Sequence, residues 1–266
     1  MSTFSLLWTG VRISPPPLIF YSYFGYIFKM SKIEDNIKKL LSSDIILNNA
    51  NHSYVLNTNK KIKFISATEL VDKQFPKFNS IEVSKRLTSS VPRYMHLTAQ
   101  QLRDKWKKKR DFGTKVHNEI EENILTSVKP STASGLRAIN WLNRTYKNYM
   151  LLPEIIVFDT TLKIAGTIDL MVVNTADNSC ILIDWKTTEK LTFNGFRGKT
   201  GITSASKNLQ DSKYDRYCLQ LSIYRFLLEK KWKINVDKSL IVHLRDDGVK
   251  DYTARYYEKN VKMLLK

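Results

Sequence analysis

The chain has 266 residues, of which 42% are hydrophobic, which is enough for one substantial core and short for two independent ones. Its two cysteines form no CxxC pair, which excludes a cysteine-rich zinc site. A formal charge of +18, from 43 Lys and Arg against 25 Asp and Glu, favours a polyanionic partner such as nucleic acid, with an anionic membrane surface as the alternative.

Residues 1–29 differ in composition from the rest of the chain. Three prolines precede an apolar run over residues 18–28, which is too short to span a bilayer because a spanning helix needs roughly 20 apolar residues. No small-residue cleavage site follows the run, whereas the absence of acids before Glu34 keeps a mitochondrial presequence open. We expect residues 1–29 to be an atypical segment that need not belong to the fold, and residues 30–266 to form a single domain.

Helical patterns and one hairpin pattern make up the first half of the body. Two apolar runs at residues 52–56 and 62–65 flank a polar turn and predict a β-hairpin. Ser66, followed by Glu69, is typical of a capping box and predicts the start of a helix. Apolar residues at helical spacing predict further helices over residues 31–41, 98–125 and 134–149.

Three strand-like runs follow, and short turn-rich connectors join them into an antiparallel meander. A predicted amphipathic helix over residues 214–231 and a strand over residues 239–244 complete the pattern. The expected fold is therefore α/β, with a mixed central sheet that contains an antiparallel three-stranded meander and is flanked by helices. The three runs of the meander are residues 153–158, 162–173 and 180–186.

Two aspartates and a lysine stand where bare charges are unfavourable. Asp169 and Asp184 each follow an apolar strand run, where a carboxylate is tolerated only if it is paired or binds a metal. Lys186 shares a strand face with Asp184, and the turn between the strands brings Asp169 to the same place. The three residues predict a catalytic centre with a divalent metal held by oxygen ligands. The alternative is a structural Asp–Lys pair beside an unrelated aspartate.

These residues resemble the signature of the PD-(D/E)XK nuclease superfamily, in its RecB-like exonuclease branch. The resemblance is carried by Gly-Thr-Ile-Asp at residues 166–169 and Ile-Asp-Trp-Lys-Thr at residues 183–187, with Ile168 where the superfamily nominally has proline. Residues 184–190 are similar to those of the mitochondrial genome maintenance exonucleases and their viral relatives. The resemblance implies a restriction-endonuclease-like core.

Three shorter elements add to the resemblance because they occur in the expected order. Residues 113–117, expected to open a helix, resemble the branch's GxxxH element. Residues 220–224 resemble its QxxxY element, and Ser66-Ala67-Thr68 resembles its SxT segment. Each is weak alone, since a lone histidine is more often a satisfied core or surface residue and an i, i+4 pair is compatible with packing.

The resemblance assigns a role to each matched residue. It implies Mg²⁺ or Mn²⁺ as cofactor, with Lys186 orienting or deprotonating the attacking water. Glu154 is expected to support a ligand or a water by a hydrogen bond, or to be a solvated strand end. Gln220, Tyr224, Ser66 and Thr68 are expected to bind substrate. The implied metal ligands are His117, Asp169, Asp184 and the Trp185 carbonyl.

Two segments are candidates for guiding the substrate. One is the basic helical stretch from Arg103 to Lys115. The other is the loop over residues 192–212, where Phe193 and Phe196 are placed to stack on unpaired bases, with a solvated disordered insertion as the alternative.

The expected function is a metal-dependent DNA exonuclease that acts on single-stranded ends or flaps, in replication, repair or recombination. A structure-selective endonuclease with the same metal site and a non-catalytic basic nucleic-acid-binding protein are the alternatives. DNA is the expected partner, without a small-molecule cofactor and without stable membrane insertion. Because Cys180 and Cys218 are expected to be buried thiols, a reducing intracellular compartment is favoured: cytoplasm, nucleus or viral factory, with the mitochondrion as alternative.

Overall fold

The computed structural model describes residues 11–12, 31–48 and 53–266. The helices are α1 (Lys32–Leu41), α2 (Ala67–Asp72), α3 (Ser80–Ser90), α4 (Ala99–Thr126), α5 (Ala133–Thr145), α6 (Lys213–Leu227) and α7 (Glu258–Leu264). The strands are β1 (Val11–Arg12), β2 (Ile45–Asn48), β3 (Ser53–Leu56), β4 (Ile65–Ser66), β5 (Met150–Asp159), β6 (Ile164–Asn174), β7 (Ser179–Lys186), β8 (Asn235–Arg245) and β9 (Gly248–Thr253). Short helical turns cover Pro92–Tyr94, Phe196–Gly198 and Leu228–Trp232.

The main sheet has six strands and both strand directions. Its order is β4-β6-β7-β8-β9, with β5 on the other edge of β6. The predicted meander is confirmed, because β5, β6 and β7 pair antiparallel. β7 and β8 run parallel and are connected through α6. The prediction of an α/β fold with a mixed sheet flanked by helices is therefore confirmed.

Helices cover both faces of this sheet and bury its alternating apolar residues. Residues of α4 and α5, such as Ile120 and Leu142, pack on the face that carries Leu170 and Ile183. Residues of α1, α2 and α6, such as Leu219, pack on the opposite face. Cys180 and Cys218 are buried free thiols, as predicted, and burial raises the pKa of each to about 12. Within the described part of the chain, no helix is both long and apolar enough to span a bilayer.

The predicted hairpin of residues 52–56 and 62–65 is wrong. Strand β3 pairs instead with β2, which supplies Ile45 to bury Tyr54 and Leu56 against the core. Ile65 joins the main sheet and pairs parallel with Ile164, so the two predicted arms lie in different sheets. A hairpin pattern fixes only local alternation, and the apolar run of β2 competes for the same strand. The start of the predicted first arm, His52, lies outside the described residues.

Most predicted helices are confirmed with shifted ends. α1, α4 and α5 occupy the predicted stretches, and Ser66 caps α2 by accepting a hydrogen bond from the Glu69 N–H. The predicted helix over residues 214–231 ends as a π-helical turn, and β8 is longer than predicted. Of the atypical segment over residues 1–29, the structure describes only Val11 and Arg12, which pair with β2, and the rest lies outside the described residues. Helices α3 and α7 and strand β9 were not predicted.

Candidate metal centre

The centre lies where β6 and β7 separate. β6 and β7 pair from Leu170–Ile183 to Asn174–Ser179, whereas β7 pairs with β8 on its other edge over its whole length, from Ser179 to Lys186. At its other end β6 pairs with β4. The edge of β7 that faces β6 therefore loses its strand partner at Asp184 and Trp185, and buried backbone groups without partners are unfavourable.

Two side chains satisfy the main chain of Trp185 at this fork. The Trp185 N–H donates to Asp169 Oδ2 at 2.8 Å, and the Trp185 carbonyl oxygen lies 3.0 Å from His117 Nε2. His117 Nδ1 is 3.5 Å from the same Asp169 oxygen. Asp169 and His117 thus replace the missing strand, which fixes both side chains and turns the Trp185 carbonyl toward them.

Helix α4 brings His117 to the fork by passing close to the end of β7. A Cβ at Gly113 would lie 3.0 Å from Thr187 Oγ1, which shows how closely the helix approaches the chain that follows β7. His117 follows one helical turn later and reaches the Trp185 carbonyl. The prediction that Gly113 opens a helix is wrong: α4 begins with a capping box of Thr98 and Gln101, and Gly113 lies in its interior.

Glu154 completes a cluster of potential metal ligands. It stands between the β5–β6 pairs Pro153–Leu170 and Ile155–Ile168, and its backbone has a φ of 53°. One ligand atom from each of His117, Glu154 and Asp169 lies within 4.8 Å of the others. Two carboxylates, an imidazole and a nearby carbonyl form a donor set, mainly of oxygen atoms, of the kind that can hold a divalent cation. Glu154 therefore contributes an oxygen atom to this group of potential ligand atoms.

Glu154 has a left-handed backbone conformation, with a φ of 53°. Such a φ costs a non-glycine residue of order 1 kcal/mol or more, and it persists only where the surroundings impose it. Aspartate and asparagine tolerate the region better than glutamate does. The positive φ lies where the β5–β6 register skips from Pro153–Leu170 to Ile155–Ile168, and the Glu154 carboxylate reaches within 4.8 Å of ligand atoms of Asp169 and His117.

Asp184 is held by Lys186 and lies outside that ligand cluster of the described residues. The Lys186 Nζ is 2.6 Å from Asp184 Oδ2, and Asp184 is only 3% exposed. Burial raises the pKa of Asp184, although Lys186 opposes the shift. Burial lowers the pKa of Lys186, but Asp184 and Asp169 outweigh burial and raise it, so we expect Lys186 to be a cation at neutral pH. Its ammonium also lies 4.5 Å from the ring centroid of Tyr217.

The predicted substrate-binding residues differ in exposure and in the hydrogen bonds that they make within the protein. Tyr224 is 3% exposed, and its hydroxyl accepts a hydrogen bond from Gln220 Nε2 at 2.7 Å. Gln220 Nε2 also lies 3.5 Å from the hydroxyl of Thr68, which is exposed. Ser66 uses its hydroxyl to cap α2. Thr68 is therefore the exposed member of this set, whereas Gln220, Tyr224 and Ser66 make hydrogen bonds within the protein.

Tyr54 is a residue beside the centre that sequence analysis missed. Its hydroxyl lies 2.9 Å from Thr167 Oγ1, and Thr167 shares a face of β6 with Asp169. Burial, reinforced by the charges of Glu154 and Asp169, raises the pKa of Tyr54. A groove of about 860 Å³ runs past Tyr54 and Thr68, and Lys73 and Lys77 lie along it. No sequence motif marks Tyr54, because β3 reaches the centre only through tertiary contact.

Gly166 is required by the packing of Tyr224. A Cβ on Gly166 would lie 2.3 Å from Tyr224 Cε1, inside a buried contact. We expect Gly166→Ala to lower the free energy of unfolding by about 1–3 kcal/mol, as overpacking of a core does. Gly113→Ala is the control, because helix propensity favours alanine there by about 1 kcal/mol and the contact is milder. Urea unfolding of both variants tests this, and an unchanged midpoint for Gly166→Ala contradicts it.

The predicted substrate-guiding loop is folded against the body. Thr200 and Gln210 form an isolated bridge, and the buried Ser206 donates to the Gln74 carbonyl, so the described loop is ordered. Phe193 contacts Tyr214 at a centroid distance of 4.9 Å, which occupies part of its ring. Phe196 is 60% exposed, and the Arg197 guanidinium lies 5.3 Å from its ring centroid.

Comparisons with known proteins leave the family of the chain open. No family model matches it, and no curated protein matches it. A solved structure titled "Crystal structure of SSO0001" is similar over 88% of this chain and 82% of that chain, with 13% sequence identity and a TM-score of 0.36.

Proposed function

We propose that the chain is a metal-dependent nuclease with a restriction-endonuclease-like core and a PD-(D/E)XK centre. One observation carries the proposal: at the fork of β6 and β7, a cluster of His117, Glu154 and Asp169 meets the buried Asp184–Lys186 ion pair. A divalent ion and a fixed cation held close together suit phosphodiester hydrolysis, because negative charge develops on the phosphate in the transition state.

Each residue of the proposed centre has its own role in the reaction. Bound by this cluster, Mg²⁺ or Mn²⁺ would polarise the scissile phosphate and lower the pKa of a water. Lys186, which Asp184 holds at 2.6 Å, orients the attacking water and offsets negative charge in the transition state. A protonated Lys186 has no lone pair that could accept a proton from the water. Of its two predicted roles, orienting the attacking water is therefore favoured over deprotonating it. Asp169 fixes the fork through the Trp185 N–H.

The charge of the chain supports nucleic acid as the substrate. A net charge of +18 provides the electrostatic attraction that phosphate backbones need. The first half of α4 carries Arg103, Lys105, Lys107, Lys108, Lys109 and Arg110 beside the fork-facing half that carries His117. We propose DNA with single-stranded ends as the substrate.

End-labelled linear and closed-circular single-stranded DNA test the proposal when Mg²⁺ or Mn²⁺ is supplied or withheld. Metal-dependent loss of the linear DNA alone is expected of an exonuclease. Cutting of the circles would favour the endonuclease with the same centre. If the protein binds both substrates but cuts neither of them, and cuts neither flap nor duplex DNA, the non-catalytic nucleic-acid-binding protein would be the remaining interpretation. Matched RNA substrates decide between DNA and RNA.

Two substitutions at Glu154 separate metal binding from backbone strain. We expect Glu154→Gln and Glu154→Gly both to weaken the binding of Mn²⁺ by about 10-fold or more, because a charged ligand is lost. The glycine variant should unfold at a free energy up to about 1 kcal/mol higher than the glutamine variant, because glycine accepts a φ of 53°. Mn²⁺ titration calorimetry and urea unfolding measure the two effects. Unchanged Mn²⁺ affinity in both variants would remove Glu154 from the ligand cluster.

A further inference from the structure

A cluster of positive side chains surrounds one glutamate just beyond the end of β7. Glu189 Oε1 lies 2.9 Å from Arg93 Nη2, and Glu189 Oε2 lies 2.6 Å from Lys109 Nζ. Arg93 follows α3 and Lys109 belongs to α4, so both come from elements distant in sequence. The three side chains are 57–69% exposed, which leaves the cluster open to a ligand.

A third cation makes the cluster strongly positive. Lys213 Nζ donates to Thr188 Oγ1 and to the Lys190 carbonyl, the latter at 3.1 Å. Partial burial of the ammonium, together with the charge of Lys109, lowers the pKa of Lys213, and Glu189 opposes the shift. Among the described residues, no carboxylate lies within ion-pair distance of Lys213. Glu189 therefore pairs with two cations and acts electrostatically on a third, and the excess positive charge suits a further anion.

The cluster is held in a fixed position relative to the metal centre. Glu189 follows Lys186 on the same segment, whose intervening residue Thr188 is anchored through its carbonyl by the buried His243 of β8. The Lys213 contacts hold the other side of this segment. A phosphate bound here would thus belong to a nucleic-acid strand that also passes the fork of β6 and β7.

We propose that Arg93, Lys109 and Lys213 form a phosphate-binding subsite for a nucleic-acid backbone, with Glu189 occupying the anion position in the free protein. This rests on the proposed function, because it assumes a nucleic-acid substrate. The carboxylate of Glu189 spans Arg93 and Lys109 as a phosphate group would, with one oxygen on each cation. A backbone phosphate displaces Glu189, and Glu189 keeps the cations oriented and lowers the affinity for phosphate.

Glu189→Gln should therefore strengthen nucleic-acid binding. Binding of a fluorescein-labelled single-stranded DNA oligonucleotide to the full chain is measured without divalent ions, so that no cleavage occurs. We expect affinity to rise about 2- to 30-fold, the equivalent of two exposed ion pairs that need no longer be broken. Asp111→Asn is the matched control, because Asp111 pairs with Lys107 on α4 at the same 2.6 Å distance as Glu189 with Lys109.

The gain must also depend on the two cations. In an Arg93→Ala/Lys109→Ala background, Glu189→Gln should give no further gain, and each alanine should reduce the salt slope of binding by about 1. A rise no larger than that of Asp111→Asn, or a gain that persists without the two cations, would show a general charge effect and overturn the subsite alone. Weaker binding by Glu189→Gln would show a purely structural pair and also overturn it. Failure of the unaltered protein to bind DNA or RNA would overturn the proposed function as well.

Discussion

Replacing Lys186 by methionine is expected to reduce metal-dependent DNA cleavage by about 100- to 1,000-fold, the effect of removing one preorganised charge from a transition state. The Lys186 ammonium is fixed between the Asp184 carboxylate and the ring of Tyr217, so no solvent cation can take its place with the same geometry. Initial rates on end-labelled DNA at saturating Mn²⁺ measure the loss. DNA binding should change little, because one cation of a strongly basic chain is removed.

The same substitution also threatens the fold, and a second variant separates the two effects. Methionine leaves the buried Asp184 without its ion-pair partner, and breaking a buried pair costs about 3–5 kcal/mol. The double variant Lys186→Met/Asp184→Asn removes the unpaired charge and should regain stability without regaining activity. Lys250→Met is the control, because Lys250 also lies against an aromatic ring, that of Tyr252, but on β9. Cleavage by the double variant within tenfold of the unaltered protein would exclude Lys186 from the chemistry.

Asp169→Asn should strongly weaken divalent metal binding while keeping the fork intact. Asparagine retains a side-chain oxygen that can accept the Trp185 N–H, so the separation of β6 and β7 should persist. The lost charge should weaken Mn²⁺ binding by more than about 100-fold and reduce cleavage in parallel. Mn²⁺ at a hundredfold excess over its Kd should raise the free energy of unfolding of the unaltered chain by about 2.7 kcal/mol, and that of Asp169→Asn by little.

Asp177→Asn serves as the control for this experiment, because Asp177 lies in the turn between β6 and β7 and outside the ligand cluster. It should keep both the Mn²⁺-dependent stabilisation and the cleavage. Equal stabilisation of the Asp169→Asn variant by Mn²⁺ would place the ion elsewhere and contradict the proposed centre.

The fork explains why carboxylates and a lysine are tolerated on apolar strands. A continuous β6–β7 ladder would satisfy every main-chain group but would leave no space for a ligand. Because the ladder stops at Leu170 and Ile183, Asp169 and His117 satisfy the Trp185 main chain and open the edge of the sheet. Asp184 and Lys186, two positions apart on β7, form an ion pair and neutralise each other. Each charge therefore has a partner in the fold, and the partners are also the proposed reactive groups.

Much of this arrangement could be predicted from local patterns. Strand alternation places Asp184 and Lys186 on one face, and the short connector between β6 and β7 limits the register enough to bring Asp169 near them. Helical periodicity predicted the extent of α4, and the resemblance to the GxxxH element of the RecB-like branch pointed to His117. The patterns could not show which charged residues lie together. In the structure Asp184 contacts Lys186, whereas Glu154 lies near Asp169 and His117.

The remaining features depend on contacts between distant segments. Tyr54 reaches Thr167 because β3 pairs with β2, where the local pattern favoured a hairpin with residues 62–65. Glu189 meets Arg93 and Lys109 because α3 and α4 fold back over the end of β7. The backbone strain of Glu154 has no sequence signature, since glutamate is an unfavourable choice for a positive φ.

Local sequence patterns were enough to predict the α/β class, the meander, the main helices and the charged residues at the strand ends, because these follow from periodicity and from the unfavourable burial of charge. Which of those charges face one another depends on contacts between distant segments. Strand pairing, the point where a ladder stops and the approach of a helix to a sheet are set by packing of segments far apart in the chain. Those contacts place the ligand cluster of His117, Glu154 and Asp169 beside the Asp184–Lys186 pair.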